Sequence, residues 1–259
     1  TEIAAQNPVR GTFFYIADPS QRFAPKRSDA TCVACHFGPR TREVPGMIES
    51  MHHTRPLADR CGGWYVTGNL GGLEHYGNVT DFLAKPDARG GSLASVEKTF
   101  DANGYLTPHS DVAALLVFEH QMQMMNLLAR LGWEARVAMH ERRLDAKGSA
   151  LADRVEEVVD YMLFVDEAAI PNSLQGSSAF TRTFSERGPR DGKGRSLYQL
   201  DLTRRVLRHP CSYMIYSEQF THLPEPARAA VYQRLWTVLS GVEKAGKYGH
   251  LSLADRRAI

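Results

Sequence analysis

The sequence lacks any long apolar run and any strong excess of charge of one sign. Its longest apolar run covers only residues 112–118, far short of the roughly 20 residues that a membrane-spanning helix needs. Its 31 basic and 29 acidic side chains leave a formal charge of +2, which gives no support for nucleic acid or an acidic membrane as a partner. The first residues, Thr1-Glu2-Ile3-Ala4, also lack the basic and apolar regions of a signal peptide. We therefore expect no transmembrane segment in this chain and no nucleic-acid partner.

Cysteine is also scarce, with four residues in a chain of 259. Two of them, Cys61 and Cys211, lie far from any other cysteine in the sequence. In an oxidising compartment they could form a disulfide, but the sequence does not show whether their Cα atoms come close enough. We expect instead two independent buried thiols, because a free cysteine behaves as a small apolar side chain.

The other two cysteines belong to the segment Cys32-Val33-Ala34-Cys35-His36. Two cysteines three apart, with a histidine directly after the second, form the attachment sequence of a c-type haem. Each thiol adds across one vinyl group of the porphyrin, and the adjacent imidazole becomes the proximal ligand of the iron. A redox-active thiol pair would need a thioredoxin-like βαβ context, and a zinc site would need a second pair of ligands. The motif therefore predicts one covalently attached c-type haem, held by Cys32, Cys35 and His36.

The predicted haem also predicts a compartment. Covalent c-type haem is assembled on the outer side of an energy-coupling membrane, so we expect a periplasmic or otherwise exported protein in its mature form, with the leader removed. As partner we expect a protein redox partner or a membrane-associated electron-transfer complex.

The function of a c-type haem depends on the sixth iron ligand. An imidazole gives a low-potential electron carrier, a Met thioether raises the potential, and an open position permits catalysis or ligand binding. We predict His53 as this ligand, with His75 and Met47 as alternatives. Trp64 and Tyr65, in a glycine-flanked loop, are predicted to pack on the porphyrin, although an aromatic pair is more often part of an ordinary core.

Histidine 120 lies on the apolar stripe of a predicted helix, where a lone histidine is more often a hydrogen-bonded core residue than a ligand. A second hypothesis brings His120 together with His75, His109 and Glu119 around a second metal or in a reactive pocket.

The distribution of glycine, proline and apolar residues predicts a mainly α fold. Residues 37–108 are rich in Gly and Pro and show little periodicity, which favours short helices joined by loops. Ser110 is the predicted N-cap of a long helix that reaches residue 131 and breaks or bends at Gly132. Further helices are predicted at 133–143, 151–165, 196–220 and 226–242, and no convincing strand is seen. We expect a loop-rich, c-type haem-binding N-terminal part (1–108) packed on a helical C-terminal part (109–259), as one continuous structural unit.

Several segments carry a resemblance to an uncharacterised family of bacterial exported cytochrome c-like proteins, each with a single CxxCH near the mature N-terminus. These segments are CVACH at 32–36, GGWYVTG at 62–68, HYGN at 75–78, YLTPHSD at 105–111, EHQ at 119–121 and PCSYMIYS at 210–217. The resemblance implies one continuous unit across nearly the whole chain, but no reaction, because none is assigned to the family.

The chain departs from the family pattern at three positions. Cys61 stands where an aromatic residue is usual, and Leu70 and Met125 stand where histidines are usual or frequent. The departures at Leu70 and Met125 weaken the hypothesis of a histidine-rich second metal site. His53, His75, His109 and His120 match family positions and stay candidates.

The sequence thus predicts a monohaem c-type cytochrome that transfers single electrons outside the cytoplasm, alone or as a subunit of a larger redox complex. The alternatives are a haem enzyme, peroxidase-like or acting on a small inorganic substrate, and a haem-based sensor, each with an open distal site.

Overall fold

A computed structural model describes residues 2–18, 25–48, 52–81, 85–144, 149–244 and 246–259. Its internal contacts group the chain into two compact units, each assembled from three separate segments. Unit 1 contains Thr1–Ser50, Gln121–Leu163 and Tyr213–Ser252, and unit 2 contains Met51–His120, Phe164–Ser212 and Leu253–Ile259. The assignment of haem binding to residues 1–108 and of a helical body to residues 109–259 stays a prediction.

The prediction of a mainly α fold is wrong. The structure is 39% helical and 10% strand, with seven α-helices and two small sheets among the described residues. The α-helices are α1 (Asp29–His36), α2 (Val112–His140), α3 (Ala152–Met162), α4 (Phe180–Ser185), α5 (Glu218–Thr221), α6 (Glu225–Leu239) and α7 (Leu253–Ala258). Short 3₁₀ helices cover Pro39–Thr41, Leu57–Asp59, Ser149–Leu151, Tyr213–Tyr216 and Gly246–Tyr248. The strands are β1 (Glu2–Asn7), β2 (Gly11–Ile16), β3 (Lys26–Arg27), β4 (Gly68–Asn69) and β5 (Gln175–Gly176).

The largest single error lies in the predicted helix over 196–220. This segment consists mostly of turns, and its backbone N–H groups bond to nearby loop carbonyls instead of continuing a helix. The amide of Asp201 donates to the carbonyl of Val206, and the amide of Arg208 donates to that of Gln199. Only the 3₁₀ helix Tyr213–Tyr216 and the start of α5 are helical there.

Unit 1 begins with an antiparallel hairpin, β1–β2, that was not expected from the sequence. The side-chain oxygen of Asn7 accepts the amides of Val9 and Arg10, which turns the chain between the strands. Thr12 and Phe14 alternate toward the buried side of β2, as the two-residue period of a strand requires. The carbonyl of Phe14 also accepts the amide of the residue before α1, so the hairpin anchors the start of that helix. The sequence also predicts that Phe13, Phe14 and Phe23 either cover a porphyrin edge or are ordinary core residues, and Phe23 lies outside the described residues.

Helix α2 is longer than predicted, because it continues through Gly132 to His140. A glycine inside a helix costs only about 1 kcal/mol relative to alanine, and the buried neighbours Leu131 and Ala135 hold this turn in the core. The cap is one residue later than predicted, since the Asp111 carboxylate accepts the amide of Ala113. The first nine residues of α2 belong to unit 2 and the remainder to unit 1.

Helices α3 and α6 pack against each other in unit 1, within the segments 151–165 and 226–242 where helices were predicted, except that α6 begins one residue earlier. The apolar stripe of α3 is buried at Val155, Val158, Val159 and Met162. The polar edges of the two helices are joined by Arg234 on α6, whose guanidinium donates to the Glu156 carboxylate on α3 at 2.8 Å. Both elements are therefore fixed by apolar burial and by an ion pair.

Unit 2 is held mainly by loops whose turns bond to polar side chains. Strands β4 and β5 pair antiparallel, with Gly68 opposite Gly176. Nearby, the Asp111 carboxylate accepts both the amide and the hydroxyl of Ser178, at 2.9 and 2.5 Å. These bonds tie distant loops to the start of α2. Among the helices of the described residues, none combines the length and the apolar character that crossing a bilayer requires.

Candidate functional site

Helix α1 carries the three residues of the predicted haem attachment sequence. Positions 35 and 36 lie three and four residues after position 32, so a helix brings the three side chains to one face. Both cysteines are free thiols; Cys32 is half-buried and Cys35 is exposed. The helix therefore presents two accessible thiols beside an imidazole on a single surface.

The imidazole of His36 is held by one backbone carbonyl. Its Nδ1 lies 2.9 Å from the carbonyl oxygen of Gly46, and the amide of Gly46 donates back to the carbonyl of His36 at 3.0 Å. Because a carbonyl oxygen only accepts, the proton of the neutral ring lies on Nδ1, and Nε2 carries the lone pair. Within the part of the chain that the structure describes, the ring makes no other hydrogen bond.

This arrangement is the one that metal-ligating histidines use. A ligand histidine almost always donates its second ring N–H to a carbonyl, carboxylate or water, which fixes the tautomer and raises the basicity of the ligating nitrogen. Phe14 adds an apolar support, because its buried ring lies 4.8 Å from the His36 ring, centroid to centroid, and is tilted by 54°. His36 is thus oriented from two directions, with Nε2 left as a ligand atom.

One exposed aromatic side chain follows the attachment sequence directly. The Phe37 ring follows His36 directly and is 48% exposed. An exposed aromatic side chain beside two accessible thiols is consistent with a porphyrin edge covering this surface. The thiols, the imidazole tautomer and the apolar neighbour together fit a covalently attached haem with His36 as its proximal ligand.

Comparisons with family models, curated proteins and solved structures give no match to this chain. The resemblance described above therefore stays a prediction, and function has to be argued from the geometry.

The predicted sixth ligands lie in different surroundings. His53 is buried in unit 2, where its Nε2 lies 3.1 Å from the carbonyl oxygen of Val165 and its ring stacks on Phe164 at 5.2 Å. Ligation through Nε2 would require that hydrogen bond to break. His75 is fully buried; its Nδ1 accepts the amide of Gly77, and its Nε2 has no hydrogen-bond partner among the described residues.

Met47 lies in unit 1, directly after the carbonyl that faces Nδ1 of His36. That carbonyl is on the edge of the ring away from Nε2, where iron would bind. The backbone of Met47 bonds to Asn126 on α2. His53 as sixth ligand, with His75 and Met47 as alternatives, stays a prediction.

Trp64 and Tyr65, the predicted porphyrin contacts, both lie in unit 2. Trp64 is 42% exposed, whereas the Tyr65 ring packs on Phe100 at 5.1 Å between centroids. Phe100 in turn meets Tyr105 at 5.5 Å, so Tyr65 is part of an aromatic row. Contact of either residue with haem stays a prediction.

Unit 2 also contains a buried polar cluster around Arg60, a residue that sequence reasoning did not single out. Its guanidinium donates to the carbonyls of Arg55 and His53, at 2.8 and 2.7 Å, and lies 3.4 Å from the Glu119 carboxylate. Burial raises the pKa of Glu119 to about 7, and Arg60 opposes that shift. Burial, followed by the charge of Glu119, raises the pKa of the Cys61 thiol to about 12. Cys61 is therefore a protonated thiol in the core, in line with the expectation of a buried thiol.

His120 belongs to the same cluster. Its Nε2 lies 2.7 Å from the hydroxyl of Ser212, and its ring stacks on Phe164 with 4.4 Å between centroids. Burial lowers the pKa of His120 well below its usual range, and the charge of His53 lowers it further. Within the described ranges, no three His, Cys, Asp or Glu side chains are arranged to hold a metal ion. The hypothesis that His75, His109, His120 and Glu119 bind a second metal is therefore not supported by this geometry.

Proposed function

We propose that this chain is a monohaem c-type cytochrome that transfers single electrons outside the cytoplasm. The observation that carries the proposal is the hydrogen bond between Nδ1 of His36 and the Gly46 carbonyl, on the same helix face as two accessible thiols. A thiol pair used for disulfide exchange has no need of a histidine whose tautomer leaves Nε2 as a lone pair. A proximal haem ligand needs that tautomer.

Each residue has a defined role in this proposal. Cys32 and Cys35 form thioether bonds to the porphyrin, and His36 ligates the iron through Nε2. The Gly46 carbonyl keeps the proton on Nδ1, and the Phe14 ring limits rotation of the imidazole. When bound, the haem supplies an iron centre that cycles between ferrous and ferric states by one electron.

The location and partner follow from the cofactor and are part of the proposal. Assembly of c-type haem outside the cytoplasm gives a periplasmic or otherwise exported protein. The partner is a protein redox partner or a membrane-associated electron-transfer complex. Most of the described residues lie outside the elements that would hold the haem. This large remainder favours a role as a subunit in an assembly.

Covalent attachment is tested first, by expressing the full chain with an export leader in a bacterium that matures c-type cytochromes. Intact-mass spectrometry is expected to give the chain plus one haem. The double variant Cys32→Ala/Cys35→Ala should lose this added mass, whereas Cys61→Ala/Cys211→Ala, which removes the two buried thiols, should keep it. Haem-free wild-type protein from a host that matures a known c-type cytochrome would overturn the proposal.

The visible absorption spectrum then tests electron transfer against the two alternatives. A low-spin spectrum that carbon monoxide leaves unchanged supports a six-coordinate electron carrier. A high-spin spectrum, or one that carbon monoxide alters, would favour a haem enzyme or a sensor with an open distal site. His53→Ala and His75→Ala identify the sixth ligand. Loss of the low-spin form in His53→Ala, but not in His75→Ala, supports His53.

A further inference from the structure

The Gly46 carbonyl, which fixes the tautomer of His36, lies in a loop that a distant side chain holds in place. Asn126, on α2, makes hydrogen bonds with both backbone polar groups of Met47. The amide of Met47 donates to Oδ1 of Asn126 at 3.0 Å, and Nδ2 of Asn126 donates to the carbonyl of Met47 at 2.7 Å. The first bond is made by the Gly46–Met47 peptide, which carries the Gly46 carbonyl, and the second is made by the peptide that follows it.

Asn126 is suited to this role because it is rigid and buried. It is 1% exposed in the middle of a long helix, where a polar side chain is costly unless its hydrogen bonds are made. Both its amide oxygen and its amide nitrogen are used on the same residue. An apolar side chain here would leave the amide and the carbonyl of Met47 without these two bonds, so the asparagine points to a requirement of the loop.

Gly46 shows the same constraint from the opposite side. A Cβ atom on residue 46 would lie 2.3 Å from Oδ1 of Asn126, closer than non-bonded atoms approach. Any side chain at this position would displace the Asn126 amide from Met47. The close approach of the loop to Asn126 therefore requires glycine.

We propose that Asn126 is the positioning residue of the haem site, which sets the orientation and basicity of the proximal His36 through residues 46 and 47. This inference rests on the proposed function, because it concerns His36 as an iron ligand. A strong Nδ1–H bond to a well-placed carbonyl makes the imidazole more electron-rich and stabilises ferric iron. Loosening the carbonyl shifts the equilibrium toward ferrous iron and raises the reduction potential.

The test compares two variants of the mature holoprotein in redox titrations. Asn126→Leu removes both bonds to Met47 and keeps the number and branching of the side-chain heavy atoms. Gln219→Leu is the matched control, because Gln219 is also buried in unit 1 and its Nε2 donates to the Met125 carbonyl at 2.6 Å, away from the loop. We expect Asn126→Leu to favour the ferrous form by about tenfold, which is about 59 mV for one electron. Gln219→Leu should leave the potential and the ferric low-spin electron paramagnetic resonance spectrum unchanged.

A second variant keeps the test decisive if Asn126→Leu fails to fold. Gly46→Ala keeps the asparagine at position 126 but displaces its side-chain amide from Met47. It should therefore shift the reduction potential in the same direction. In the double variant the two shifts should be less than additive, because both act through one contact.

The outcomes separate the two proposals. Wild-type protein without covalent haem would overturn the proposed function itself. Covalent haem with an unchanged potential in both Asn126→Leu and Gly46→Ala would overturn the role of Asn126 alone. An equal shift in Gln219→Leu would also overturn it, because the effect would then be a general consequence of lost packing.

Discussion

Two histidines in this chain, His36 in unit 1 and His120 in unit 2, each have one ring nitrogen in a hydrogen bond, at 2.9 and 2.7 Å. Their surroundings differ. His36 is half-buried next to the exposed thiol of Cys35, whereas His120 is 3% exposed and stacked on Phe164. The hydrogen bond on one ring nitrogen therefore has a different role in each unit. At the surface it prepares the other nitrogen for a ligand, and in the core it compensates for burial.

The comparison extends to the charges around each site. The support of His36 is neutral, a carbonyl and an aromatic ring. The cluster of His120 contains the buried pair Arg60 and Glu119, with side chains 5% and 4% exposed. We infer that the charged pair stabilises the loops that it joins in unit 2, whereas the neutral support of His36 suits the proposed cofactor.

Replacement of His36 is expected to have the largest effect on the haem. His36→Ala removes the predicted proximal ligand, so the low-spin visible spectrum should be lost at equal haem content. His120→Gln should leave that spectrum unchanged, because the amide can still bond to Ser212 in the core. The comparison between the two regions fails if both variants keep the wild-type spectrum, or if both lose it.

Replacement of Arg60 is expected to have the largest effect on stability. Arg60→Met leaves Glu119 buried without its cation and frees two backbone carbonyls, which should lower the free energy of unfolding by about 3–5 kcal/mol. The haem spectrum of the folded protein should stay unchanged. Urea unfolding measures the loss.

Arg89→Met serves as control for Arg60→Met. Arg89 pairs with Asp59 at 3.0 Å and lies over the Tyr76 ring, but the charged side chains are partly exposed, so its replacement should cost only about 1–2 kcal/mol. Equal losses in the two variants would show that the Arg60 cluster has no special weight in unit 2.

The smallest expected effect is a change in pH dependence. Burial lowers the folded-state pKa of His120 below its usual 6.5, so the unfolded chain binds a proton there more readily. Stability from this residue is complete above pH 6.5 and decreases as the pH falls below it. In His120→Gln, unfolding midpoints measured from pH 8 to pH 5 should therefore fall less steeply than in the wild type.

A matched substitution separates burial from the mere loss of a histidine. His140 lies exposed at the end of α2, and His140→Gln should reproduce the wild-type slope. If His120→Gln and the wild type have the same slope, His120 does not titrate differently in the folded and unfolded states.

The predictable parts of this fold are those in which the local pattern is also the packing pattern. Helix α3 and helix α6 lie where helices were predicted, because each packs one apolar face on a core. The hairpin β1–β2 was missed because the run Phe13-Phe14-Tyr15 obscures the alternation that burial reveals. The pairing of Gly68 with Gly176 leaves no local pattern at all, since it depends on residues far apart in sequence.

The candidate site divides in the same way. Cys32, Cys35 and His36 are recognisable because haem attachment dictates their spacing along the chain. Gly46 is visible only as part of a turn, and Asn126 only as a polar residue within an apolar helix. Their roles depend on a tertiary contact, so no spacing rule identifies them. Asn126, Arg60 and Phe164 were all missed for this reason.

The contact between Met47 and Asn126 spans 79 residues of sequence. The parts of the proposed site therefore come together in a fixed order as the chain emerges. Under the proposed export and haem attachment, a chain exported N-terminus first presents its two thiols well before α2 has followed. Attachment can therefore precede folding, with the cofactor joined to a chain whose proximal imidazole is still free to rotate. The imidazole becomes fixed only when Asn126 bonds to Met47. In the proposed sequence of events the cofactor is therefore attached first, and its reduction potential is set afterwards.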